Sequence, residues 1–118
     1  MNAPTPRQNG ELDQRISAHE TRTAEDLATI RRLEQQWEEY RQVMRANTAR
    51  FEEAGIGMDA ENYFVQKGLA ARRELDSFAG RLADEQEEFL AETARGIRSE
   101  SEVELERLRK EKAGASWA

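Results

Sequence analysis

The sequence predicts an all-α protein: an elongated two-helix antiparallel hairpin of coiled-coil type, completed by helices from partner chains. Three observations carry this. Ile16, Thr23, Ile30, Trp37, Met44 and Phe51 recur every seven residues without a break, the period at which helices supercoil. Two glycines one residue apart, in Ala54-Gly55-Ile56-Gly57-Met58, interrupt the pattern near the middle of the chain. No proline follows Pro6, so nothing in the second half forces a helix to end.

Residues 1–10, with Pro4, Pro6, Asn9 and Gly10, have no apolar periodicity and read as a disordered arm, although Thr5-Pro6-Arg7-Gln8 could cap a helix early. The first helix is expected over 11–53. Three residues beyond the first five members of its seven-residue row stand His19, Asp26, Leu33, Tyr40 and Asn47, with Leu12 ahead of them and Leu27 beside Asp26. That second row is apolar in its middle and polar at both ends. The turn is expected at 54–58, where glycine supplies the positive φ of a helix C-cap.

The second helix is expected over 59–112. Asp59 suits its N-cap, Glu61 suits the positive end of the helix dipole, and Asn62 stands where a capping box has Glu or Gln. Its stripe runs through Phe64, Gly68, Ala71, Leu75, Phe78, Leu82 and Phe89. Beyond Phe89 the spacing becomes a succession of fours through Thr93, Ile97, Ser101 and Leu105, which carries the stripe around the helix and locally unwinds a coiled coil. Gly68, Gly80 and Gly96 either admit a close neighbour or mark bends. Residues 113–118 read as a flexible tail, with Trp117 as its one aromatic. At 1.5 Å per residue the helices would be roughly 65 and 80 Å long.

Composition narrows the function. The chain has 118 residues, 37% hydrophobic and 36% charged, with no cysteine and a mean hydropathy of −0.94. That is too polar for a thick core, and two helices alone rarely bury enough surface to offset backbone ordering. Further helices from copies of the chain or from other proteins are therefore expected. The 18 Lys and Arg are scattered among 24 Asp and Glu, for a net charge of −6. Nucleic acid needs a cationic face, so it is not an expected partner. No apolar run approaches the roughly 20 residues of a membrane span, which gives an expected cytoplasmic location, with co-export beside a partner left open.

Chemistry is sparse. His19 is the only histidine, and the residue three before it is Ile16 rather than the Glu of a di-iron helix motif. Neighbouring acids such as Glu38-Glu39 and Glu87-Glu88 point about 100° apart on a helix and make no close dyad. The glycines of the turn lack the Lys-Ser or Lys-Thr of a phosphate loop. No catalytic, cofactor-binding or metal-binding residue is expected. The candidate partner-binding residues are Ile30, Leu33, Trp37, Tyr40 and Met44 in the first helix and Phe64, Leu75, Phe78, Leu82 and Phe89 in the second. The same residues would serve equally to pack the hairpin on itself.

The heptad-bearing first helix, the glycine turn, the opening Asp59-Ala-Glu-Asn-Tyr-Phe-Val and the charged run Glu102-Val-Glu-Leu-Glu-Arg-Leu-Arg-Lys-Glu-Lys resemble the small LXG-associated α-helical proteins of type VII secretion. The resemblance covers roughly residues 12–112. It implies a chaperone or targeting adaptor that, with a second small helical protein, clasps the helical N-terminal domain of an LXG toxin. Related secreted hairpins carry Trp-x-Gly at the turn and an aromatic followed four residues later by an acid. This chain has Gly55-Ile56-Gly57 without the Trp, and Phe51, Tyr63, Phe64, Phe78 and Phe89 are followed at that distance by Gly55, Lys67, Gly68, Leu82 and Thr93. That departure fits a branch in which a partner carries the export signal. The stretch from Leu33 to Phe64 is also similar to coiled-coil stalk proteins of flagellar and type III export ATPases, which are longer and more basic. A homo-oligomeric structural coiled coil is a third reading.

Overall fold

The computed structural model describes residues 5–58 and 61–116. They form two helices, α1 (Pro6–Ile56) and α2 (Tyr63–Ser116), paired as an antiparallel hairpin. Asp59 and Trp117, expected as an N-cap and a tail aromatic, lie outside the described residues.

All four expected helix boundaries move. α1 begins at Pro6, inside the expected arm, because Thr5 and Gln8 close a full capping box. Thr5 N–H donates to Gln8 Oε1 at 2.7 Å and Gln8 N–H donates to Thr5 Oγ1 at 3.2 Å, while Pro6 takes the first helical position, where a missing N–H costs nothing. α1 ends at Ile56 rather than residue 53, and no described glycine has positive φ. Gly55 is helical; a Cβ there would lie 3.5 Å from the Leu69 methyls. The chain leaves the helix through Gly57 N–H to Glu53 O and Met58 N–H to Gly55 O. α2 begins at Tyr63, capped by Asn62, whose Oδ1 accepts from Phe64 N–H at 2.9 Å. It continues to Ser116, past the expected end at 112.

The chain divides into two packing units. One is Arg32–Leu90 and contains the turn; the other joins the segments up to Arg31 and from Ala91 onward. In the turn unit, α1 turns Trp37, Arg41, Met44, Thr48 and Gly55 inward, and α2 turns Val65, Leu69, Arg72, Asp76, Ala79, Ala83, Gln86 and Leu90 inward. Both sets follow heptad spacing. The large residues of α1 face small ones on α2, as where Met44, Ala79 and Gly80 line one cleft. Ala83 is completely buried.

In the other unit the inward residues Leu12, Ile16, His19, Thr23, Leu27 and Ile30 on α1, and Ala94, Ile97, Ser101, Leu105, Leu108 and Lys112 on α2, repeat at eleven residues: Leu12 to Thr23, Ala94 to Leu105, Ile97 to Leu108. That period, 3.67 residues per turn, removes the left-handed supercoil, and it is the succession of fours in the sequence. Thr23 Oγ1 donates to the buried Ser101 Oγ at 3.0 Å. Arg109 approaches Glu20 at 3.7 Å and Lys112 pairs with Asp13. Hydrogen bonds from Arg107 hold the Glu104 carboxyl below its ordinary range. What Glu104 contributes is therefore present at neutral pH and is lost as pH falls through its lowered titration.

Two outcomes test this packing by urea denaturation. Gly55→Ala should stabilise the protein by about 0.5–1 kcal/mol, since Ala is the better helix residue and its Cβ would make ordinary contact with the Leu69 methyls; a positive-φ cap there would give destabilisation instead. Ala83→Leu should cost about 1–3 kcal/mol by overpacking.

Candidate interaction surface

On a helix, moving one residue toward the N-terminus turns the direction by about 100°. α2 carries a second heptad row displaced by that one residue from its inward row. It runs Phe64, Gly68, Ala71, Leu75, Phe78, Leu82, Glu85 and Phe89, with spacings of four and three throughout. This row is the stripe most legible in the sequence, and it does not face α1. Phe64 is 80% exposed, Phe78 59%, Phe89 62% and Leu75 49%. Gly68 and Leu82 are half-buried.

α1 departs from expectation in the same sense. In its first row Ile30 is buried, Ile16, Thr23, Trp37 and Met44 are half-buried, and Phe51 at the turn end is exposed. Its second inward row lies four residues on rather than three, through Arg41, Thr48 and Gly55. Leu33, Tyr40 and Asn47 are correspondingly exposed, and so is Val43. Tyr40 stands edge-on to Trp37 with ring centroids 5.7 Å apart.

Because the helices are antiparallel, the one-residue displacement turns both outer rows to the same side of the pair. Leu33, Tyr40 and Val43 thus share a flank with Leu75, Phe78, Leu82 and Phe89. Near the turn a cleft of about 360 Å³ opens on that flank, lined from α1 by Phe51 and Ala54 and from α2 by Phe64 and Gly68. A Cβ at Gly68 would sit 3.5 Å from the Phe51 ring, at ordinary contact distance.

Polar pairing explains which row of α2 meets α1. Arg41 reaches across to two acids one turn apart, its Nε donating to Glu87 Oε1 at 3.0 Å and its Nη2 to Glu87 Oε2 at 3.1 Å and to Asp84. These bonds raise the guanidinium pKa further above its ordinary value, so Arg41 is charged at every pH the fold survives. Two turns further, the Thr48 hydroxyl donates to Asp76 and accepts from Arg72 Nε at 3.3 Å. None of these partners belongs to the apolar row. Sequence reasoning missed Arg41 because its acids lie more than forty residues away, and heptad counting gives no weight to a charge.

Among the described residues no three His, Asp or Glu side chains gather closely enough to hold a metal ion, and no helix is long and apolar enough to cross a membrane. Buried His19 Nε2 has no hydrogen-bond partner. No protein-family profile, curated protein or solved structure matches the chain.

Trp37→Asp should abolish the cooperative loss of helical circular dichroism on heating, because a charge would replace a half-buried indole beside the Arg41 bridge. An unchanged thermal transition would show that Trp37 does not hold the hairpin.

Proposed function

We propose that the protein is a non-enzymatic helical adaptor that binds a helix of another protein along the apolar flank of its turn unit. The observation that carries this reading is the exposure of the best apolar heptad row of α2, continued on α1 by Leu33, Tyr40 and Val43. Taking about 150–250 Å² for a large side chain, the exposed fractions of Leu33, Tyr40, Val43, Leu75, Phe78 and Phe89 leave roughly 600 Å² of apolar surface. That is at the upper limit of what monomeric proteins leave uncovered, and patches of this size mark interaction sites. A period of four and three fits an amphipathic helix, which docks with anchors one and two turns apart.

The resemblance to LXG-associated proteins names the partner more finely. On that reading the docked helix belongs to the N-terminal domain of a secreted type VII toxin, a second small helical protein joins the complex, and the assembled rod is what the secretion machinery receives. The adaptor's work is to cover an apolar helix until export and to present it in one register.

The test is affinity purification of the tagged protein from its own cells, with mass spectrometry, for the native chain and for Phe78→Glu. The native chain should recover a larger protein with a long helical N-terminal region. Phe78→Glu should lose it at least tenfold while helical circular dichroism and the thermal midpoint stay nearly unchanged, because Phe78 is mostly exposed and lies outside the inward row of α2. Equal recovery by both would remove the flank from the binding reaction, and an export ATPase in the eluate would replace the adaptor reading with the stalk.

A further inference from the structure

A charged row runs beside the apolar row of α2. Lys67, Glu74, Arg81 and Glu88 follow one another at intervals of seven and alternate in sign. Each lies one residue before a member of the row Gly68, Leu75, Leu82 and Phe89, where coiled coils carry the charges that choose partner and orientation. Among the described residues Glu74, Arg81 and Glu88 take part in no ion pair within the chain, and Lys67 stands only over the Tyr63 ring, 5.7 Å from its centroid. All four are exposed. A helix surface with no outside partner gains more from pairs three or four residues apart along itself; a strict period of seven aligns these charges with a neighbouring helix.

We propose that, before the partner helix arrives, a second copy of this chain occupies the flank, with α2 lying antiparallel on α2 of the other copy about a twofold axis near Ser77. Turning the row end for end about that point sets Lys67 opposite Glu88 and Glu74 opposite Arg81, each pair occurring twice. The apolar layers close about nearly the same point. Leu75 meets Phe78, Ala71 meets Leu82, and Phe64 meets Phe89, while Glu85, the one charged member of the row, falls opposite Gly68, which sets no side chain against it. Slipping the copies by one heptad either way sets like charges against each other: Lys67 against Arg81 and Glu74 against its own copy, or Arg81 against its own copy and Glu74 against Glu88. The parallel orientation would need the row through Arg72, Ala79 and Gln86, which is turned toward α1. One register is thus selected and its neighbours are penalised.

The surface is large enough for association and too small for a permanent one. Phe64, Leu75, Phe78 and Phe89 leave on the order of 500 Å² per copy, so the pair buries about 1,000 Å², the lower limit for a specific interface. The dimer is accordingly weak and exchangeable. It rests on the reading that the flank docks helices, and it adds the identity of the first occupant.

Sedimentation equilibrium of the full-length protein over a wide concentration range tests this. The native chain should move reversibly between 13.6 kDa and twice that mass. Glu74→Arg alone and Arg81→Glu alone should each raise the dimer dissociation constant about tenfold, since each turns two attractive contacts repulsive. The double exchange Glu74→Arg with Arg81→Glu should restore the native value, with helical circular dichroism the same in all four proteins. A strictly monomeric native chain, or a dimer indifferent to the single reversals or not restored by the exchange, overturns the proposal. Partner capture is read separately: a monomer that still captures its partner overturns only this inference, and a dimer that captures nothing overturns only the adaptor reading.

Discussion

α2 carries two adjacent heptad rows and can turn only one of them toward α1. Everything else in the turn unit follows from which row that is. The row α1 receives contains Arg72, Asp76, Ala79 and Ala83; the row it leaves outside contains three phenylalanines and two leucines. Apolar burial alone would choose the opposite arrangement, because each large side chain is worth about 1.5–3 kcal/mol when fully buried. Two features of α1 reverse the choice. Arg41 and Thr48 would lie unpaired against a phenylalanine row, and leaving a buried charge or hydroxyl without a partner costs as much as the apolar gain. Trp37 and Met44 are large, and alanines opposite them let the helices approach where a second layer of large side chains would hold them apart. The hairpin is thereby closed by small residues and polar bridges, and its most hydrophobic surface stays outside.

The other unit shows what a completed pair looks like in the same chain. Its inward residues follow an eleven-residue repeat, its one internal hydroxyl pair is satisfied, and Val103 is the only large hydrophobic residue exposed among its described residues. No second apolar row is left over there. A function that depends on docking another helix therefore belongs to the turn unit, and the cost of keeping an apolar flank uncovered falls on that unit alone. The polar seam has its own cost, since buried Arg72 Nη2 and Asp76 Oδ1 make no hydrogen bond.

Heptad counting made the fold class and the first row of α1 legible, because Ile16 through Phe51 repeat without a break. It also found Phe64 through Phe89 on α2 but left open whether α1 or another chain meets them, and the structure turns most of that row away from α1. The reason is physical: a hydrophobic period shows that a row seeks burial, not which neighbour buries it. Leu27, Val65, Leu69 and Leu90 face inward although no unbroken apolar row carries them, because alanines and charged residues stand between them in the sequence. The helix boundaries moved for local reasons of the same kind. Thr5 and Gln8 outweighed the missing apolar period of the arm, and Gly55 was read as a cap although its place against Leu69 needs only a small residue.

Leaving such a row exposed is a hazard, because an uncovered apolar stripe binds any helix with a similar period. The charges beside it reduce that promiscuity. An alternating row accepts only a helix whose own charges oppose it in one register, and the first helix that meets this condition is α2 of another copy. A weak dimer then lowers the apparent affinity for every other helix by the fraction of flank already covered. A poorly matched helix cannot displace the copy. A partner helix with longer apolar contact can, because α1 adds Leu33, Tyr40 and Val43 to the surface it meets. Selectivity in this arrangement comes less from the strength of the apolar row than from what must be removed before the row can be used.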